Sequence, residues 1–360
     1  MNNLTNSKIF KSWIGYKLPL VHVKLNLGIK KIIADFFLHP IKRRIAKYYI
    51  YFLQKLTKIK VIAITGSAGK TTTKEMVASI LSLDGNTVYS EGNIDPVFNI
   101  PRTILKCRLN TKYLVLEFGV EYPQEMDFYL WLVKPDIGVI TNIFPTHTLY
   151  FKNREGVFKE KSKIIKGSKK VVLNKDDGFL KKVKQNKSEQ VYWFKNGKNL
   201  LGTNANVAKT VAKVLNIDTK KMEKGIKNYH PQNHRLKVIK HRSGAVIVDD
   251  TYNSNPEALI ASINYFNSIS KGRKKILVVG DMLELGDLEV QEHKRVGVFI
   301  KKVGFEKVYG VGSLVKYVTS EVKTIDELTD ELKKFLKPRY SILFKASRSI
   351  GLDRLIEKLI

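Results

Sequence analysis

The stretch VIAITGSAGKTTTKEMVASIL, residues 61–81, limits the fold of this 360-residue chain more than any other. It opens with the apolar run VIAI, the pattern of a short strand buried on both faces. Over 74–83, Met76, Val77, Ile80 and Leu81 then recur at helical spacing. Gly66 and Gly69 therefore fall on a strand-to-helix turn. Glycines there let backbone N–H groups curl around an anion at the positive end of a helix. Lys70 can reach the outer phosphates of a nucleotide, and Thr71 can hold Mg²⁺. The whole cradle would be Gly66, Ser67, Ala68, Gly69, Lys70, Thr71 and Thr72. The longer phosphate-loop pattern asks for a glycine where Ile64 stands. The plainer alternative is a Gly/Ser/Thr-rich turn that only caps a helix.

Strands and helices alternate beyond the loop. YLVLEF at 113–118, IGVIT at 137–141 and KVVL at 170–173 read as strands, and 125–133 and 204–215 as helices. The pattern breaks at YHPQN, 229–233, and a second series follows with strands at 245–248, 275–279 and 341–345. The expected class is α/β: a central P-loop domain with a mostly parallel sheet, then a Rossmann-like C-terminal α/β domain. The expected divisions are 1–58, a short basic and mainly helical segment, then 59–232 and 233–360.

One cysteine, Cys107, leaves no internal disulfide, and no apolar run approaches the roughly 20 residues of a membrane span. A soluble cytoplasmic protein, monomeric, is expected. The net charge of +31 invites a nucleic-acid partner, but lysine is spread along the chain with much Asn and Ile, as a biased genome would produce. No nucleic acid is expected. Residues 1–60 differ, with 13 Lys and Arg against the single acid Asp35, interleaved with aromatics such as Phe36, Phe37, Tyr48, Tyr49, Tyr51 and Phe52. Either a helix on an anionic membrane surface or a plain helix packed on the next domain fits that pattern.

Active groups in open parallel sheets gather at the carboxyl ends of the strands. Glu117 ends one strand, Asn142 and, after a short loop, His147 follow another, and Asp249 and Asp250 end a third ahead of Tyr252, Asn253 and Asn255. An acid and a histidine near a phosphate loop can complete a Mg²⁺ shell. Each alone reads equally as a helix cap, a surface charge or a structural histidine, and 249–256 as an Asx-rich turn.

Their combination and order carry further. GSAGKTTTK, EGN at 91–93, LEFGVE, TNIFPTH, VLNKDD, NHR at 233–235, VDDTYNSNP, VVGDMLELGD and KASRS at 345–349 resemble the Mur ligase superfamily, from about residue 60 to the C-terminus. Most similar is the branch that joins D-alanyl-D-alanine to a muramoyl tripeptide of peptidoglycan synthesis. That family's loop has the short form Gly-x-x-Gly-Lys-Thr, which accounts for Ile64. The resemblance implies an ATP- and Mg²⁺-dependent amide ligase whose partners are the precursor peptide and D-alanyl-D-alanine.

By that resemblance Lys70 contacts the outer phosphates, and Thr71, Glu117, His147 and a carbamylated Lys161 hold metal. Asn93 faces the γ-phosphate, Asn204 holds adenine, and Arg235 and Asp250 reach phosphates and ribose. Tyr252, Asn253, Asn255, Lys345, Ser347 and Arg348 meet the substrates. The chain departs from the family at Leu200 and Leu201, where a His-Asn pair is usual, and at Ala346, where glycine is. Residues 1–58 are short for the family's uridine-gripping domain, so they are not expected to bind uridine nucleotide. The implied alternatives are a ligase with a non-uridylated or lipid-linked acceptor, and a nucleotide-binding scaffold without catalysis.

Overall fold

The computed structural model describes residues 12–14, 16–22, 33–92, 94–183 and 190–360. The chain divides into two compact units, Met1–Pro145 with Asn153–Tyr229, and Thr146–Lys152 with His230–Ile360.

The first unit contains α1 (His39–Leu56), β1 (Lys60–Thr65), α2 (Lys70–Leu81), β2 (Thr87–Tyr89), α3 (Pro96–Ile104), β3 (Tyr113–Glu117), α4 (Glu125–Leu132) and β4 (Ile137–Ile140). It continues with α5 (Arg154–Lys161), β5 (Lys170–Asn174), β6 (Gln190–Phe194), α6 (Leu200–Val214) and α7 (Thr219–Lys227). Its six strands pair in the order β2-β3-β1-β4-β5-β6, all parallel. A parallel sheet needs cover on both faces, and β1, buried from Val61 to Thr65, has it. Val77, Ile80 and Leu81 of α2 share one core with Val207, Ala208, Val211 and Ala212 of α6. The alanines let the two helices approach closely. On α1 a stripe of Pro40, Arg43, Ala46, Ile50 and Leu53 is buried against α3 and α4.

The second unit contains β7 (Lys237–Lys240), β8 (Val246–Asp249), α8 (Pro256–Ile269), β9 (Lys274–Gly280), α9 (Glu289–Val303), β10 (Lys307–Val311), α10 (Ile325–Lys333), β11 (Tyr340–Lys345) and α11 (Leu352–Glu357). The order is β10-β9-β11-β8-β7, parallel except for β7, which runs antiparallel to β8. Its core gathers Ile247, Ile276, Val278, Tyr309, Ile342 and Phe344.

The structure departs from the sequence pattern at helix starts and sheet edges. Helix α2 begins at Lys70 rather than 74, because Gly69 at φ 77° sets the N-cap. Helix α6 begins at Leu200 because the Asn199 side chain accepts from Gly202 N–H at 2.8 Å. Strands β2, β6 and β7 are edges whose residues are partly exposed, so they lack the apolar run that marks a central strand.

Candidate active site

The phosphate-loop turn is held by the segment after β4. Ser67 N–H donates to the Asn142 carbonyl at 3.1 Å, and Ala68 N–H to Asn142 Oδ1 at 2.8 Å. Thr141 Oγ1 and Asn142 Nδ2 both donate to the Ala68 carbonyl, at 2.7 and 3.1 Å. Ser67 Oγ joins Phe144 through both its N–H and its carbonyl. The backbone N–H groups of Ser67 and Ala68 are thus engaged within the fold. The first helical bond of α2 runs from Thr73 N–H to the Gly69 carbonyl at 2.9 Å. An anion therefore meets the helix end at 70–72, where the dipole is positive. The sequence reading has Thr141 only as the last residue of a strand and Asn142 only as the residue that follows it, and gives neither a role in the loop. Each follows β4 by one or two residues, and that place at a strand's carboxyl end is the signal that could have found them.

Two glycines here have no substitute. Gly66 sits at φ 144°, and a Cβ on it would lie 1.9 Å from Thr141 Oγ1. Gly69 sits at φ 77°, and its Cβ would lie 2.5 Å from Asn204 Oδ1. Asn204 is buried beside the loop, accepts from Thr73 Oγ1 at 3.3 Å, and has a buried Nδ2 with no hydrogen-bond partner. A buried amide left unsatisfied costs about 1–3 kcal/mol, which a bound acceptor would relieve. The nucleotide fits this cradle.

Thr71 Oγ1 donates to Glu117 Oε1 at 3.1 Å, and Glu117 N–H donates to Ser90 Oγ at 3.0 Å. A hydroxyl and a carboxylate side by side are hard oxygen donors of the kind Mg²⁺ takes. Among the described residues no cluster of three or more His, Cys, Asp and Glu exists, so phosphate and water oxygens would have to complete a shell. The three lysines near 161 separate clearly. Lys159 is exposed, and Lys163 pairs with Asp127 at 2.8 Å and Glu160 at 2.6 Å. Lys161 is fully buried, and its Nζ donates to the Val120 carbonyl at 3.0 Å. Burial, aided by the charge of Lys70 and opposed by Glu125, Glu121 and Glu160, pushes its amine down to about 7. Asn93 lies outside the described residues, and Thr72 is half-buried in the first turn of α2.

The remaining candidates belong to the second unit. His147, in the left-handed region at φ 54°, donates from Nδ1 to Glu284 Oε2 at 2.7 Å. That bond holds the Glu284 carboxyl below its ordinary value. Asp250 directly follows β8 and accepts from Leu236 N–H at 3.2 Å, Ser262 Oγ at 2.5 Å and Lys345 Nζ at 2.6 Å. Lys345 also donates to the Asn253 carbonyl at 2.9 Å. The Arg235 guanidinium lies over the Tyr252 ring, 3.8 Å from its centroid. Asn255 caps α8, accepting from Ala258 N–H at 2.8 Å. Ser347 Oγ accepts from Leu283 N–H at 3.0 Å, and Arg348 pairs with Asp353 at 2.8 Å. Asp250, Lys345 and Tyr252 thus stand at or just beyond strand carboxyl ends, and Arg235, two residues ahead of antiparallel β7, lies at the same edge of the sheet.

Comparison with known proteins gives two overlapping family matches. Residues 64–254 match the Mur ligase middle domain, and 234–348 the glutamate ligase domain of Mur ligases. The chain is 33% identical over 356 residues to the UDP-N-acetylmuramoyl-tripeptide–D-alanyl-D-alanine ligase of Buchnera aphidicola subsp. Baizongia pistaciae, covering 86% of this chain and 77% of that one. It is 31% identical over 363 residues to the same-named enzyme of Bacillus subtilis, covering 88% and 79%. Among solved structures it is similar to MurF from Acinetobacter baumannii, with a TM-score of 0.79, 26% identity and coverage of 89% and 80%. MurF from Thermotoga maritima, solved in complex with ADP, shares the fold with a TM-score of 0.79, 23% identity and coverage of 89% and 83%. A parallel sheet carrying a glycine-pinned phosphate loop, a second α/β unit, and family matches that together run from residue 64 to 348 lead to one assignment: the chain belongs to the Mur ligase family.

Proposed function

We propose that the chain joins D-alanyl-D-alanine to a muramoyl-tripeptide precursor of peptidoglycan, using ATP, as a cytoplasmic monomer. Residues 59–232 serve as the ATP-binding domain and 233–360 as the ligase domain. A free carboxylate does not accept an amine at neutral pH. The acceptor carboxylate therefore attacks the γ-phosphorus of ATP, forming an acyl phosphate and releasing ADP. The D-alanyl-D-alanine amine then attacks the acyl carbon, phosphate leaves, and the amine loses a proton as the amide forms. Lys70 and the positive end of α2 neutralise charge that develops on the transferring phosphoryl group. Mg²⁺, held by Thr71 and Glu117 with a carbamylated Lys161, would add charge neutralisation when bound. Arg235 and Asp250 bind phosphate and ribose, and Asn204 gives its amide to the nucleotide. Tyr252, Asn253, Lys345 and Ser347 orient the second substrate.

The observation that carries this reading is the joining of Thr71 to Glu117 at 3.1 Å on a loop whose two glycines are sterically obligatory. A purely capping turn needs neither. Phosphate release is the test, with ATP, Mg²⁺, the tripeptide acceptor and D-alanyl-D-alanine, leaving out each in turn. Release should need all four and fall at least a hundredfold in Lys70→Ala at unchanged melting temperature. Equal release with a single amino acid as amine would overturn the substrate assignment. A related ligase acting on a non-uridylated or lipid-linked acceptor is the second reading, supported by the acid-free basic helix α1. The same assay with and without the uridine group on the acceptor separates the two.

A further inference from the structure

Helix α1 has two opposed apolar faces. One is the buried stripe of Pro40, Arg43, Ala46, Ile50 and Leu53. The other carries Ile41, Ile45, Tyr48, Phe52 and Leu56, exposed by 44, 55, 59, 57 and 73%, with Leu38 just ahead at 60%. At 100° per residue these six side chains fall within a sector of about 80°. Tyr49, at the edge of this sector, donates from Oη to the Cys107 carbonyl at 2.6 Å. The result is a contiguous exposed apolar surface, the kind that marks an interaction site.

The charge around it selects the occupant. Helix α1 has no acid and carries Lys42, Arg43, Arg44, Lys47 and Lys55. Lys42 flanks the stripe on one side and Lys55 on the other. Arg44, beside the stripe, lies over the Trp13 ring at 4.5 Å, so that part of the basic margin is held in place. A second copy pairing through this face would set lysines against lysines. The stripe runs along the outside of a single helix rather than in a groove, and tyrosines at its margin suit a lipid headgroup boundary. No described helix is long and apolar enough to cross a membrane.

We propose that α1 docks the chain on an anionic lipid surface, with Ile41, Ile45, Phe52 and Leu56 at the acyl boundary and Lys42 and Lys55 among the headgroups. The anchor is independent of the ligase reading, because its residues lie outside the phosphate-loop site.

Flotation of the full chain with phosphatidylglycerol/phosphatidylcholine vesicles tests it against phosphatidylcholine alone. The chain should float with the anionic vesicles and not with the neutral ones. Ile45→Asp/Phe52→Asp should lower partitioning at least tenfold with unchanged melting temperature and phosphate release. Lys42→Glu/Lys55→Glu should also lower it, most strongly at low salt. A label on Ile45→Cys should shift to the blue on the anionic vesicles, a readout that needs no destabilising charge; buried Cys107, its thiol pushed up to about 12, stays unlabelled. Partitioning that is unchanged in Ile45→Asp/Phe52→Asp reflects charge alone and overturns the proposal. A dimer of the wild-type chain that the same variant dissociates would assign the stripe to self-association and overturn it too.

Discussion

Lys161 is the residue whose chemistry depends most on its surroundings. Sequence spacing puts Lys159, Lys161 and Lys163 within five residues and does not rank them. Only burial separates them, because an ammonium without water loses its proton far more readily than an exposed one. With its amine pushed down to about 7, Lys161 is largely neutral at pH 8, the nucleophilic form that adds CO₂. ¹³C-bicarbonate should therefore give a carbamate resonance at pH 8 that is absent in Lys161→Ala. Lowering the pH below about 6 protonates the amine and should remove the signal and the turnover together. Lys161→Ala should be inactive and partly restored by acetate; normal turnover in that variant would refute the carbamate. Gly66→Ala is a separate case, since both φ 144° and the Thr141 hydroxyl forbid a side chain. It should cost roughly 2 kcal/mol or more in urea unfolding.

At the scale of elements, the short turn Leu20–His22 is tied to two helix starts. His22 Nε2 lies 2.5 Å from Glu125 Oε1 at the head of α4, and Nδ1 lies 3.3 Å from Asp95, the N-cap of α3. Burial alone would lower the imidazole, but the hydrogen bonds and charges of Asp95 and Glu125 outweigh it and raise it to about 9. A group raised in the folded state contributes stability that is complete below its unfolded value, near 6.5, and is lost as the pH rises through about 9. The melting-temperature gap between wild type and His22→Gln should accordingly be widest near pH 6 and close by about pH 10. A gap that grows with pH would contradict the ion pairs. This contact spans 103 residues of sequence, so no local pattern announced it. The central strands were legible because burial on both faces forces an apolar run. Edge strands β2, β6 and β7 were not, since one side of each meets solvent and their composition drifts toward that of loops.

At the scale of the molecule, the two units have separate cores and separate sheets, so unfolding is not expected to be two-state. Lys345 and Asp250 form a buried pair inside the second unit, with side chains 3% and 10% exposed. Removing one partner of such a pair costs about 3–5 kcal/mol because the other charge stays buried. In Lys345→Ala, hydrogen exchange should accelerate across β8, β9 and β11 while β1, β3 and β4 keep their protection. Equal loss in both sheets would show that the units unfold as one. The α/β class, the parallel sheet and the phosphate turn with its lysine and threonine were determined by sequence alone, because strand burial, helical spacing and the glycine demand of a tight turn are local properties of the chain. Tertiary structure alone decided which lysine is buried, that Thr141 and Asn142 hold the loop, that Thr146–Lys152 joins the second unit, and that α1 keeps an apolar stripe facing outward. Each of these depends on residues distant in sequence meeting, or failing to meet, the same surface, and no window of neighbouring residues contains that information.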